Sequence, residues 1–149
     1  MALSAVTLAE NVAAMDVDGL TLYDLASVPQ TIDKRDCPLA YPVPENFLVL
    51  EDATQLTFGE RALWQYTYLV TFRYVQAPVG AERGLSKILP GKANGYARFI
   101  QAIARNAPLL GAAQVRAANT PAWGVLQDPS GAQYEAADLA LRVVEFSSD

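Results

Sequence analysis

The feature that most constrains this chain is a run of strict alternation between Leu63 and Gln76. Trp64, Tyr66, Tyr68, Val70, Phe72 and Tyr74 fall on one parity, and Gln65, Thr67, Leu69, Thr71, Arg73 and Val75 on the other. Side chains of a β-strand alternate between its two faces, so the pattern puts an aromatic and β-branched stripe on one side and a mixed stripe on the other. At roughly 3.3 Å per residue such a strand reaches about 45 Å, well beyond the usual length of about six residues. A strand that long projects past its core. The stretch from Phe47 to Thr57 is the natural partner for a long antiparallel hairpin, with the aromatic stripe buried and the strand ends, near Arg61 and Gln76, extending toward neighbours.

The remaining elements follow from spacing and from chain breakers. Leu8, Val12 and Met15 sit at i, i+4 and i+7, and Thr7 with Glu10 has the spacing of a capping box, which predicts a helix over Leu3 to Met15. Residues 20–32 read equally as a short strand or as a turn of helix ending at Pro29. Between Asp33 and Asn46, Pro38, Pro42 and Pro44 remove backbone donors and hold their neighbours extended. That predicts a connector whose Leu39, Tyr41 and Val43 dock on the domain's own surface. Residues 78–95 read as a basic surface loop, with a helical turn near Leu85 to Leu89. A second helix over Gly95 to Asn106 puts Tyr96, Phe99, Ile100 and Ile103 on one face, with Pro108 as its stop. Three strands close the chain, over Ala113 to Ala118, Trp123 to Gln127 and Glu135 to Phe146, the last two joined by a type I turn at Asp128-Pro-Ser-Gly131. The expected fold is one α+β domain over residues 1–149, an antiparallel sheet with a long β-hairpin and helices packed on one face.

Composition narrows the chemistry. With 149 residues, 52% of them apolar, the chain can bury a core without disulfides or metals. The apolar residues are dispersed and no basic residue precedes those at the N-terminus, so neither a membrane span nor a secretory signal is expected. One cysteine, Cys37, closes no internal disulfide, and assembly in the cytoplasm is the simplest expectation. There is no histidine, which removes His-based triads, His-ligated zinc and imidazole acid/base catalysis. Asp16-Val-Asp18-Gly19 resembles the opening of a calcium loop, but it lacks the third ligand, and Ser27 stands where the bidentate glutamate belongs. Gly91-Lys92 has Ser86 where a phosphate loop needs glycine and Ala93 where it needs a hydroxyl. No catalytic residue, metal or cofactor is therefore expected.

The charge distribution says more than the net charge of -5. Residues 1–52 hold nine acids and two bases (net -7), residues 53–122 two acids and eight bases (net +6), and residues 123–149 five acids and one base (net -4). Internal pairing between neighbouring elements is the plain explanation. A head-to-tail oligomer, acidic face against basic face, is the sharper one. On that reading Arg83, Lys87 and Lys92 of the basic loop, together with Arg61 and Gln76 at the strand ends, meet acids such as Asp16, Asp18, Asp33 and Asp36 of a neighbour.

Taken together, the connector Cys37-Pro-Leu-Ala-Tyr-Pro-Val-Pro44, the strand Trp64 to Tyr74 and the C-terminal Leu139-Ala-Leu-Arg-Val-Val144, in this order and at this length, resemble the tail terminator proteins of long-tailed bacteriophages. The resemblance runs from about Leu3 to Phe146 and is one of pattern. It implies a structural virion protein of the tail and neck, assembled in the host cytoplasm as a hexameric ring. Such a ring ends tail-tube polymerisation and joins the tail to the head connector. The partners implied are further copies of the chain, the tail tube protein and a connector or stopper protein. DNA would pass through an acidic lumen without specific binding. Another neck protein, such as a stopper or head-completion protein, would share these traits. Two rival readings come from the residues themselves: a ligand pocket lined by Tyr66, Tyr68 and Tyr96 between helix and sheet, and a base-stacking platform on the aromatic stripe.

Overall fold

The computed structural model describes residues 5–17, 19–78, 94–106, 114–118 and 123–147. In chain order the elements are α1 (Ala5–Ala13), β1 (Thr21–Leu22), a 3-10 turn (Lys34–Asp36), β2 (Leu39–Pro42), β3 (Leu48–Gln55), β4 (Trp64–Pro78), α2 (Tyr96–Asn106), β5 (Gln114–Ala117), β6 (Trp123–Gln127) and β7 (Gln133–Ser147). The architecture is α+β, a seven-stranded mixed sheet with helical segments. The predicted basic loop and its helical turn, with Arg83, Lys87 and Lys92, lie outside the described residues, as does Asp18.

Two strands of 15 residues, β4 and β7, pair antiparallel along almost their whole length, from Trp64↔Ser147 to Pro78↔Tyr134. Each carries two shorter strands end to end on its outer side. Along β4 these are β2 (Leu39↔Val75 to Pro42↔Phe72) and β3 (Leu48↔Val70 to Gln55↔Trp64). Along β7 they are β6 (Gln127↔Gln133 to Trp123↔Ala137) and β5 (Ala117↔Leu141 to Gln114↔Val144). Between β2 and β3 only residues 44–46 leave the edge: Val43 donates its N–H to the Thr71 carbonyl, and the Thr71 N–H bonds the Phe47 carbonyl.

Two expectations are corrected here. The proline-rich stretch is more than a connector, because Leu39–Pro42 is a fully buried strand inside the sheet. Pro42 is tolerated because the N–H groups that face β4 fall on alternate residues, such as Val43, so the Pro42 nitrogen points away from β4 and costs that ladder no bond. The sheet is also not wholly antiparallel, since β1 pairs parallel with β2 (Thr21↔Leu39, Leu22↔Ala40), which resolves the ambiguous stretch after Gly19.

Strand parity sorts the core. On one face Tyr68, Val70, Phe72 and Tyr74 of β4 and Ala137, Leu139, Leu141 and Val143 of β7 join Leu8 and Val12 of α1 and Phe99 and Ile103 of α2 in one buried cluster. Phe72 meets Phe99 edge-on, and Tyr74 packs against Tyr96, Phe99 and Trp123, so the aromatic stripe is interior. Gly95 makes room there: a Cβ at this position would overlap the Tyr74 hydroxyl, so one of the two would have to shift. On the opposite face a smaller cluster of Ile32, Leu39, Tyr41, Val75, Tyr134 and Ala136 sits at one end of the sheet. Tyr134 ties the 25–32 segment to it by donating its hydroxyl to the Ile32 carbonyl at 2.7 Å.

Candidate assembly interface

β3 is the strand whose sequence and surroundings disagree. The strand opens with the apolar Leu48-Val-Leu50, directly after the buried Phe47, and continues through the largely polar Glu51 to Gln55. Yet every residue of β3 is exposed, with Leu48, Val49 and Leu50 at 45%, 47% and 54%. Leu48 and Leu50 pair with Val70 and Tyr68 on the core face, and Val49 pairs with Leu69 on the other. Among the described residues only β4 pairs with β3, so its outer backbone edge is also uncovered. Such an edge is a template on which another strand can pair, and here it carries three consecutive exposed apolar side chains.

The strand is nevertheless held firmly. A bulge between Leu50 and Asp52 leaves Glu51 without a Cα partner. Glu51 reaches across β4 to Arg142 of β7, with Nε–Oε1 at 2.8 Å and Nη2–Oε2 at 3.2 Å. The hydrogen bond from Arg142 holds the Glu51 carboxyl below its ordinary range.

The turn that follows is pre-shaped. Leu56 donates its N–H to the Leu63 carbonyl at 2.7 Å, Leu63 donates to the Thr57 hydroxyl at 2.7 Å, and the Gln55 amide donates to the Thr57 carbonyl at 2.9 Å. Gly59 takes φ +109°, a conformation that L side chains rarely adopt. This framework presents Phe58 92% exposed.

At the far end of β4 a cleft of about 910 Å³ opens on the face away from the helices. Its floor holds Tyr41 and Arg73, one wall is the segment of Leu25, Val28 and Ile32, and the other is the turn of Leu126 and Pro129. Arg73 is engaged with its cross-strand partner Asp138 by two bonds, at 2.7 and 3.1 Å. Asp128 Oδ1 caps the β6–β7 turn, accepting from the Ser130 and Ala132 N–H groups and the Ser130 hydroxyl, and the carboxyl is held low by these bonds. Its Oδ2 is buried with no geometric hydrogen-bond partner, though the Ile32 backbone also favours the charged form. With Glu45 at the mouth and Arg73 already met by Asp138, the cleft is acidic on balance.

The residues expected at an interface are distributed unevenly. Arg61 lies exposed in the Phe58 turn, and Asp16 is exposed after α1. Gln76 is half-buried and accepts the Tyr74 hydroxyl at 2.6 Å. Asp33 pairs with Arg35 at 2.8 Å, and Asp36 accepts the Tyr23 hydroxyl at 3.3 Å. The anticipated tyrosine pocket is occupied core: Tyr68 and Tyr96 are buried, and burial pushes the Tyr96 phenol up to about 12. Leu48, Val49, Leu50 and Phe58 were not singled out by sequence reasoning, although the lack of alternation in Phe47 to Leu50 carried the signal. Neither protein-family models nor curated protein sequences match this chain.

Proposed function

We propose that the chain is a structural assembly subunit that associates with further copies of itself into a ring, in the manner of the tail terminators whose element order it resembles. In that role it ends the tail tube at its head-proximal end and joins it to the connector, with DNA passing through the lumen. The observation that supports assembly is β3, where Leu48, Val49 and Leu50 are exposed side by side on a strand whose outer edge is uncovered among the described residues. On this reading β3 offers the outer edge of the β3–β4 hairpin to a neighbour, while β4 is backed by β7 along almost its whole length and the helices pack on one face of the sheet. Closing a ring needs a heterologous contact repeated around an axis, and an uncovered strand edge at one side of the subunit is suited to one.

The station at the tail rests on the resemblance, and assembly rests on the exposed hairpin. Light scattering on purified protein, alone and with tail tubes, tests both. A closed oligomer that caps tubes and stops their growth is expected. Protein that stays monomeric and leaves tube growth unchanged would overturn the reading.

A further inference from the structure

Resting on that assembly reading, we infer that the contact between neighbouring copies is a knob and a hole: Phe58 of one copy seats in the acidic cleft, between Leu25 and Pro129, of the next. Phe58 is the most exposed of the large apolar side chains described, and it is carried on a turn already fixed by the hydrogen bonds around Thr57 and Leu63. A side chain presented in this way loses little conformational freedom on docking, which favours association. An aromatic anchor in an apolar pocket is also the commonest form of interface hot spot.

The cleft supplies the complement. Its volume of about 910 Å³ holds an aromatic ring together with flanking turn residues, and Leu25, Val28, Leu126 and Pro129 give it apolar walls. Glu45 adds an exposed carboxylate to the lining, and Arg61, three residues after Phe58, brings a cation to it.

The two features cannot meet within one molecule. Phe58 lies beyond the Trp64 end of β4 and the cleft at its Arg73 end. At roughly 3.3 Å per residue the strand from Trp64 to Arg73 separates them by about 30 Å. The knob therefore belongs to a second copy, and because knob and hole are different surfaces the contact is heterologous, the kind that propagates head to tail until it closes.

The test uses two variants, Phe58→Asp, which removes the knob, and Leu25→Glu, which charges the cleft, each followed by light scattering and native mass spectrometry. Both residues are exposed, so circular dichroism should be unchanged. Each variant alone is expected to weaken self-association by at least about 30-fold. An equimolar mixture should restore one good contact and yield a 1:1 dimer that grows no further. Wild-type assembly of either variant, or a mixture that forms no dimer, would overturn the knob-and-hole contact and leave the ring reading standing. Association that depends on Phe58 but ends in open filaments would support the contact and contradict the ring. Wild-type protein that is monomeric at every concentration would contradict both.

Discussion

Glu51 of β3 and Arg142 of β7 form a salt bridge at 2.8 Å although β4 runs between their strands. Glu51 shares the face of Val49, whose partner Leu69 pairs with Arg142, and the bridge ties the exposed strand to the centre of the sheet. The tie is pH-sensitive in a defined direction. A carboxyl whose folded pKa is depressed adds stability that is present above its unfolded value, about 4.3 for glutamate, and is lost as pH falls through the lower folded value. Glu51→Gln should therefore lower the melting temperature slightly near pH 7, and the difference should shrink as pH falls below the unfolded value of about 4.3. Thermal denaturation of both proteins across that range checks it.

Arg73 and Asp138 are direct cross-strand partners and make two hydrogen bonds. The Asp138 side chain is 45% exposed, so solvent screens the pair. Asp138→Asn should cost no more than about 1 kcal/mol, and Arg73→Ala about 2 kcal/mol, because the latter also removes the alkyl stem beside Tyr41. Urea denaturation of the single and double variants gives the coupling.

Gly95 and Tyr74 are a packed pair in which the glycine makes room for the hydroxyl. Gly95→Ala should destabilise by about 1–3 kcal/mol, the usual cost of overpacking. In a Tyr74→Phe background the same change should cost clearly less. A cost equal in both backgrounds would mean that the hydroxyl is not what the methyl meets.

Buried tyrosines set the alkaline limit. Desolvation pushes the phenols of Tyr74 and Tyr96 up to about 12. Their folded pKa values exceed the unfolded value of about 10, so the stability linked to their neutral forms is full below about pH 10 and is lost as pH rises toward about 12. Ultraviolet titration should show these phenols ionising together with unfolding, not before it.

The legible parts of the fold were those where one physical pattern dominated. Trp64 to Tyr74 alternates so strictly, and is so rich in aromatic and β-branched residues, that β4 was placed to within two residues of its observed ends. Tyr96, Phe99 and Ile103 gave α2 in the same way. The Leu39–Pro42 strand was hidden because proline argues against a ladder, and Pro42 is harmless only because its nitrogen faces away from β4. The parallel β1 pairing was beyond reach, since two residues carry no period. The acids and bases chosen for the interface followed net charge along the chain, which is blind to local pairing: Asp33 and Asp36 hold partners a few residues to 13 residues away. Phe58 stood in a turn-like stretch and drew no notice, because exposure of a single side chain is decided by tertiary structure.

The central claim is that β3 is covered by another copy of the chain. Hydrogen–deuterium exchange of residues 48–55, followed over a wide range of protein concentration alongside the measured mass, tests it most directly. The account predicts that protection of these amides rises with concentration in step with oligomer formation, while protection within β4 and β7 stays constant. Exchange of residues 48–55 at one fast rate throughout, with oligomers formed all the same, would contradict it.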